Sequence, residues 1–285
     1  MENLCDPKVV KYLLDRFGFR FSKDLGQNFL IDSQVPCQIA ASCGAGQEDG
    51  VIEIGPGFGV LTNELAKQAQ KVVAIEIDDR LIPILGHTLA EHNNVEVVHQ
   101  DVLKTDLKGL IEEKFGGKQV YVCANLPYYI TTPIIMALLE QQLPIHSITV
   151  MVQKEVAQRL CAEPGSKDAG AISLAVSYYT EPEILFDVDK TCFMPSPKVD
   201  STVMRLKLRE KPAVQVENEK LFFQLIKGAF AQRRKTFANS LSSSGYGISK
   251  ERIYEALDQM GLPQNIRGER LTLENFAEMT QIFGT

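Results

Sequence analysis

Apolar positions follow two rhythms along this chain. Near the start, Val9, Val10, Leu13, Leu14 and Phe17 recur at helical spacing, with Asp6 as an N-cap, Pro7 at the first helical position and Gly18 as the stop. This predicts a short amphipathic helix. Arg20, Lys23 and the segment Leu25-Gly26-Gln27-Asn28-Phe29-Leu30 then break the periodicity before a second helix that ends near Gly44. From residue 51 the rhythm changes to short β-branched runs: Val51-Ile52-Glu53-Ile54, Val72-Val73-Ala74-Ile75, Val95-Glu96-Val97-Val98, Val120-Tyr121-Val122-Cys123 and Ile148-Thr149-Val150-Met151-Val152. Segments able to form helices separate them. The alternation predicts a parallel sheet covered on both faces, with ligands at the carboxyl ends of the strands.

Two further strands, around 172–179 and 201–208, are too close in sequence for a crossover helix and are expected to end the sheet as an antiparallel pair. Beyond Pro212 the strand pattern stops. Helices are expected near 217–235, 249–259 and 272–282, with Ser249 and Thr272 as caps and Gly261 as a stop. The expected organisation is an α/β domain over 1–209, carrying an N-terminal helical extension, and a small all-helical domain over 210–285. There is no internal repeat, and Ser242-Ser243-Ser244-Gly245 is too short to be more than a loop.

Composition narrows the class. With 285 residues, 45% hydrophobic and 23% charged, the chain can bury a full core, which excludes disorder as a description of the whole. No apolar run approaches the ~18 residues that would span a bilayer, and the first residues lack the layout of a secretory signal. The six cysteines are scattered without a Cys-x-x-Cys pair, and the four histidines lack ligand spacing. The expectation is a cytoplasmic protein with no metal and no membrane partner. Net charge is −6, but it is uneven: −7 up to residue 209 and +1 from 210 on. Bulk positive charge is therefore excluded as a means of coating nucleic acid, whereas a local basic face is not.

The candidate chemistry lies at the strand ends. Glu53-Ile54-Gly55-Pro56-Gly57-Phe58-Gly59 follows the first strand of the alternating series and opens a helix, so Gly55 and Gly57 let the backbone turn tightly against a ligand. A dinucleotide fingerprint needs its third glycine where Val60 stands; the spacing here favours S-adenosylmethionine over NAD. Glu76, 21 positions after Gly55, can accept both hydrogens of a ribose diol, and Asp101 can accept from an adenine amino group. Any one of these acids could simply be solvated or cap a helix, but their joint placement at successive strand ends favours a cofactor site. Glu53 has two readings, that it orients the glycine loop or that it balances the cationic end of the cofactor, and the first is preferred.

After the fourth of these strands comes Asn125-Leu126-Pro127-Tyr128-Tyr129, with Thr132 expected as a helix N-cap and Pro133 in the first turn. The segment resembles the Asn/Asp-Pro-Pro-Tyr signature of methyltransferases that act on exocyclic amines of nucleobases, with Leu126 in place of the first proline. An adenine amine is a poor nucleophile while its lone pair is delocalised into the ring. The Asn125 side-chain oxygen and a backbone carbonyl, that of Leu126, can each accept one N–H and leave the lone pair free. Alignment then supplies the rate, and no strong base is needed because the proton leaves after the nitrogen has become cationic. Tyr128 is expected to stack on the base.

Together with Leu25–Leu30, Phe193-Met194-Pro195-Ser196-Pro197-Lys198-Val199-Asp200-Ser201 and Phe230-Ala231-Gln232-Arg233-Arg234-Lys235-Thr236, these motifs make the chain similar to the KsgA-type ribosomal RNA adenine dimethyltransferases, from about Leu25 to the C-terminal helix. The resemblance implies a Rossmann-like class I methyltransferase fold. It also implies S-adenosylmethionine-dependent dimethylation of two adjacent adenines near the 3′ end of 16S rRNA, in a precursor of the small ribosomal subunit. It assigns Asn28, Leu30, Gly55, Glu76, Asp101 and Asn125 to the cofactor or its immediate surroundings, and places Phe193 on the face of the base opposite Tyr128. Base-holding by two aromatic rings requires an extruded or single-stranded nucleotide.

Lys220, Lys227 and Arg234 recur every seven residues in the helix expected over 217–235, opposite Phe222, Leu225, Ile226, Ala229 and Phe230. With Arg233 and Lys235 they form the expected RNA-binding group, to which Lys8, Lys11, Arg16, Arg20 and Lys23 add a second basic segment. A monomer is expected. The competing readings are a methyltransferase of large-subunit rRNA that confers antibiotic resistance, a non-catalytic assembly factor, and an NAD-dependent dehydrogenase, the last disfavoured by Val60.

Overall fold

The computed structural model describes residues 3–21, 26–232 and 234–284. Leu25 of the Leu25–Leu30 motif, Lys23 and Arg233 lie outside them.

The chain divides into two compact units. The first comprises Met1–Ala157 and Glu183–Leu208, the second Gln158–Pro182 and Arg209–Thr285. The single boundary expected after residue 209 is thus corrected: residues 158–182 belong with the C-terminal part.

In the first unit, α1 (Pro7–Phe17) begins where expected, with the Asp6 side chain accepting from Lys8 N, and ends at Gly18 in the left-handed region. After β1 (Phe29–Leu30) and α2 (Gln34–Cys43), the alternating region gives β2 (Gly50–Ile54), α3 (Val60–Gln68), β3 (Lys71–Glu76), α4 (Ile82–Thr88), β4 (Val95–His99), α5 (Leu107–Phe115), β5 (Val120–Asn125), α6 (Thr131–Glu140) and β6 (Ser147–Gln153). Helix α7 (Lys154–Leu160) follows. The sheet order is β4-β3-β2-β5-β6, continued by β9 (Ser201–Leu208) and then β7 (Thr180–Val188) at the edge. Strands β2 to β6 run parallel and β9 runs antiparallel to β6. The order reverses beside β2, which in such a sheet opens a crevice at the carboxyl ends. Helix α2 packs on β5 and β6, α3 on β3, and α4 on β4. A separate two-stranded ladder joins β1 to β8 (Phe193–Met194).

The expected strand at 172–179 is instead helix α8 (Ala171–Tyr179), in the second unit. Every residue from Ser173 to Tyr178 is buried, so the run lacks the polar face that marks a helix in sequence, and its β-branched residues imitate a strand. The edge strand β7 starts where that run ends. Its Pro182, Glu181, Glu183 and Asp187 conceal a strand that an edge position tolerates.

The rest of the second unit is helical, as expected: α9 (Glu219–Phe230), α10 (Phe237–Ser242), which the spacing did not predict, α11 (Lys250–Gln259) and α12 (Leu273–Gly284) surround a core that includes Phe222, Phe237 and Phe276. Ser249 and Thr272 accept at the starts of their helices, from Arg252 N and Asn275 N, and Gly261 is left-handed after α11. The helix expected to run to 235 stops at Phe230. Ser240 ends it, donating its hydroxyl to Gly228 O at 2.7 Å while accepting from Gln232 N at 3.0 Å. No helix among the described residues is long and apolar enough to cross a membrane.

One local constraint fixes the start of the central strand. A Cβ on Gly50 would lie 2.1 Å from Phe115 Cδ1, inside the core. Gly50→Ala is therefore expected to displace that ring and to lower stability by about 1–3 kcal/mol, read as a lower urea midpoint with unchanged slope.

Candidate active site at the carboxyl ends of the strands

Register sets the site out. Ile54, the last residue of β2, sits between Ile75 of β3 and Ala124 of β5. One step further along, Gly55 is flanked by Glu76 on one side and Asn125 on the other. Asp101 follows β4, whose last residue His99 pairs with Glu76. Three separate sequence signals are thereby brought to one edge, around a cavity with an empty volume of about 1110 Å³, open solvent at its mouth included. Asn28, Leu30, Gly55, Gly57, Glu76, Asp101, Asn125, Leu126, Pro127 and Tyr128 all line it.

The glycine turn is shaped by what lies behind it. Gly55 and Gly57 have φ of 69° and 60°, and Gly55 N donates to Ile75 O at 2.9 Å. A Cβ on Gly57 would come 2.9 Å from the Phe29 ring. Phe29 in turn stacks on Phe58, with centroids 4.1 Å apart and planes within 10°. The segment Gly26–Leu30 is therefore the wall against which the glycine turn packs. Gln27 donates to Asp78 Oδ2 at 2.8 Å, and Arg80 grips the same carboxylate through Nε and a second nitrogen at 2.7 and 2.6 Å. Burial would raise the Asp78 carboxyl, but the bonds from Arg80 and Gln27 outweigh it and hold it below its ordinary value.

Glu76 is a buried hub. Its Oε1 accepts from Ile77 N and Asp78 N, both at 2.9 Å, and its Oε2 accepts a longer bond from Gly57 N at 3.3 Å. Burial pushes this carboxyl above its ordinary value, and the three N–H groups counter it. Glu53, 1% exposed, is raised much further, to about 8, first by burial and then by the neighbouring Glu76, with Thr62 opposing. Its Oε2 has no hydrogen-bond partner among the described residues. Asp101 caps a 3₁₀ turn through Leu103 N at 3.0 Å and lies 3.5 Å from Lys104 Nζ.

On the other side, Asn125 Nδ2 donates to Asn28 O at 3.5 Å, and the amide of Asn28 donates to Gly26 O at 3.0 Å. This leaves Asn125 Oδ1 available as an acceptor. Pro127 O is taken by Thr131 Oγ1 at 3.1 Å and Ile130 N at 3.2 Å. Leu126 N donates to Met151 O at 3.2 Å, whereas its carbonyl accepts no bond among the described residues. Among the described residues these two oxygens, on adjacent residues that line the cavity, accept no hydrogen bond. The tyrosine ring beside them is held at its far end, Tyr128 Oη lying 2.7 Å from Ser201 Oγ.

Two expectations are corrected. Thr132 is not the N-cap of α6: the helix starts at Thr131 after Ile130, and the Thr131 hydroxyl bonds back to Pro127 O instead. Phe193, expected opposite Tyr128, is not among the described residues that line the cavity. Its pairing with Leu30 in the β1–β8 ladder turns it into the core, where it is 3% exposed. Of the RNA-binding group, Lys220 and Lys227 are exposed on α9, but Arg234 and Lys235 lie in the turn beyond its end, so Arg234 does not continue the helical stripe. The sequence reading missed Ile77 and Val102, apolar cavity walls next to the expected acids, and Tyr129 at the mouth. Their position just after strand ends was the available signal.

The residues fit an S-adenosyl ligand. Carboxylates at two strand ends suit the ribose and adenine hydrogens, apolar walls flank them, and Oε2 of the buried Glu53 has no hydrogen-bond partner among the described residues.

A model of the ribosomal RNA adenine dimethylase family matches residues 18–283. A ribosomal RNA small subunit methyltransferase A from Alkaliphilus metalliredigens is 52% identical over 281 residues, 99% of this chain and 98% of that protein. The protein of the same description from Geobacillus thermodenitrificans is 50% identical over 282 residues, 98% of this chain and 96% of its own. Among solved structures, a dimethyladenosine transferase from Plasmodium falciparum shares the fold at a TM-score of 0.74 and 24% identity, covering 90% of this chain and 97% of that one. The 23S rRNA methyltransferase ErmE matches at 0.67 and 28%, covering 90% and 100%.

The state of Glu53 has a consequence for the ligand-free protein. Between the ordinary value of 4.5 and about 8, the folded chain keeps a proton that the unfolded chain has lost. Stability therefore falls as pH rises through that window and levels off above it. Glu53→Gln is expected to flatten this fall, so that thermal melts from pH 5 to 9 show the variant gaining on the parent; superimposable profiles would exclude the assignment.

Proposed function

The chain belongs to the ribosomal RNA adenine dimethylase family, and from that premise we propose that it dimethylates the 6-amino groups of two adjacent adenosines near the 3′ end of 16S rRNA, with S-adenosylmethionine as donor. The observation that carries this reading is the pair of free acceptors, Asn125 Oδ1 and Leu126 O, beside a cavity built for an S-adenosyl ligand.

Bound S-adenosylmethionine supplies an electrophilic methyl group on a sulfonium. Glu76 and Asp101 accept from the ribose and the adenine, Gly55 and Gly57 keep the turn clear of side chains, and Glu53 offers its unpaired oxygen to the cationic end. Asn28 and Leu30 close the wall opposite. Asn125 and Leu126 draw the two amine hydrogens of the target base into hydrogen bonds, which frees the nitrogen lone pair. Pro127 fixes the turn between them and Tyr128, whose ring takes the face of the base. Phe193 acts from behind, as the partner of Leu30, rather than as a second stacking ring.

The substrate we assign is a precursor of the small subunit, met in the cytoplasm by a monomer. Every residue that lines the cavity comes from the first unit of one chain, so no second copy is required. Lys220, Lys227, Arg234 and Lys235, with Arg233, are the proposed phosphate contacts, on the unit whose net charge is +1 against −7 for the other. The relatives that are 50–52% identical are described as small-subunit enzymes, whereas ErmE, at 28%, is described as a 23S enzyme.

Mass spectrometry of small-subunit particles incubated with the protein and isotopically labelled donor tests this reading. Four labelled methyl groups on two neighbouring adenosines are expected; label confined to large-subunit rRNA, or none, contradicts it. Asn125→Ala should reduce turnover by at least about tenfold with less than threefold change in donor affinity, since the lost bonds are made to the reacting amine. Equal losses in both quantities would remove Asn125 from that role. Arg234→Glu should weaken RNA binding and flatten its dependence on salt while sparing donor binding; an unchanged salt slope would remove that phosphate contact.

A further inference from the structure

We propose that Tyr129 is a second base platform, set at the mouth of the cavity, which stacks the nucleotide next to the reacting adenine. The inference rests on the reading above and extends it from the target base to its neighbour.

Tyr128 and Tyr129 are consecutive, yet the structure treats them differently. Tyr128 is partly buried and tied through its hydroxyl to Ser201. Tyr129 lines the same cavity but is 56% exposed, the most exposed of the large hydrophobic side chains among the described residues. A single exposed tyrosine on a protein surface needs no explanation. One that continues the wall of the cavity beside Asn125 and Tyr128, on a turn held between β5 and α6, is different.

Its ring is also seated. A Cβ built on Gly26 would lie 3.3 Å from Tyr129 Cδ1 and 3.9 Å from Pro127 Cβ, so the ring rests on bare backbone at Gly26, whose φ is 57°. That support comes from the stretch that walls the glycine turn. The rest of the ring is free for a ligand that offers a flat π-face.

The occupant follows from the substrate. Drawing one of two adjacent adenines into the cavity breaks its stack with the other and bares a face of that neighbour, which remains one phosphate away. Tyr129 follows Tyr128 in the same turn and lines the same cavity with most of its ring exposed, which puts it within reach of that neighbour. Aromatic stacking tolerates any base because every base has a π-face, and methylation of the amine leaves that face in place. A platform of this kind therefore serves equally when the neighbour is still unmodified and when it already carries two methyl groups.

The test couples the residue to the nucleotide. Short RNAs carry either both adenines or an abasic nucleotide in place of one, in both arrangements, and methylation of the remaining adenine is followed by mass spectrometry. On the intact RNA, Tyr129→Ala should lower kcat/KM by roughly 5- to 150-fold with donor affinity unchanged, and Tyr129→Phe should stay near the parent. In at least one abasic arrangement the parent should fall to the level of Tyr129→Ala, and the variant should fall no further. Undiminished activity of Tyr129→Ala on the intact RNA, an equal further loss from the abasic site in both arrangements, or a loss of donor binding in that variant would each overturn the proposal. If the parent itself transfers no methyl to the intact RNA, the reading of the enzyme fails first, and the two failures are thereby distinguished.

Discussion

The site depends on one buried carboxylate. Glu76 closes the end of β3 by accepting from its own two following N–H groups, and it reaches across to the N–H of Gly57 in the turn after β2. Burial disfavours its charge, and the three donors offset that cost where side chains of opposite sign are lacking. By joining two strand ends it holds open the crevice that the reversal of strand order creates. Everything that handles a ligand is referenced to that crevice: Asp101 one strand to one side, Asn125 one strand to the other, and the Gly26–Leu30 wall packed on the turn through Phe29 and Phe58.

The same neighbourhood explains why the glycines cannot be replaced by other small residues. Gly57 is needed twice over, for its left-handed backbone and for the Phe29 ring that occupies the place of a side chain. The acid two positions before Gly55 is buried beside Glu76, and the two carboxyl groups share a volume that favours one charge over two. The chemistry on the opposite side asks for less: two acceptors left unpaired and a tyrosine pinned by Ser201.

Much of this was legible in the residues. The parallel strands, the glycine turn, the acids at strand ends and the Asn125 turn all follow local rules of spacing, and register then brings them together without further information. What sequence concealed was set by burial and by distant partners. The run 171–179 reads as a strand because a helix buried all round has no polar face, and β7 is hidden because an edge strand tolerates Pro182 and acidic residues. The end of α9 is decided by Ser240, ten residues beyond Phe230, which no periodicity within the helix reveals. Phe193 was expected beside the base on the strength of its motif, whereas its ladder pairing with Leu30 faces it inward. Tyr129 was visible as a letter; its exposure and its seat on Gly26 were not.

The proposed reaction requires the turn after β5 to present two acceptors to the amine of a purine lying beside an S-adenosyl group. The most direct measurement is a crystal structure of the protein with S-adenosylhomocysteine and adenosine. The account predicts the 6-amino nitrogen within about 3.2 Å of both Asn125 Oδ1 and Leu126 O, with the ribose of the homocysteine ligand on Glu76. A purine bound elsewhere, or an amine turned away from Asn125 with the cofactor in place, would contradict it.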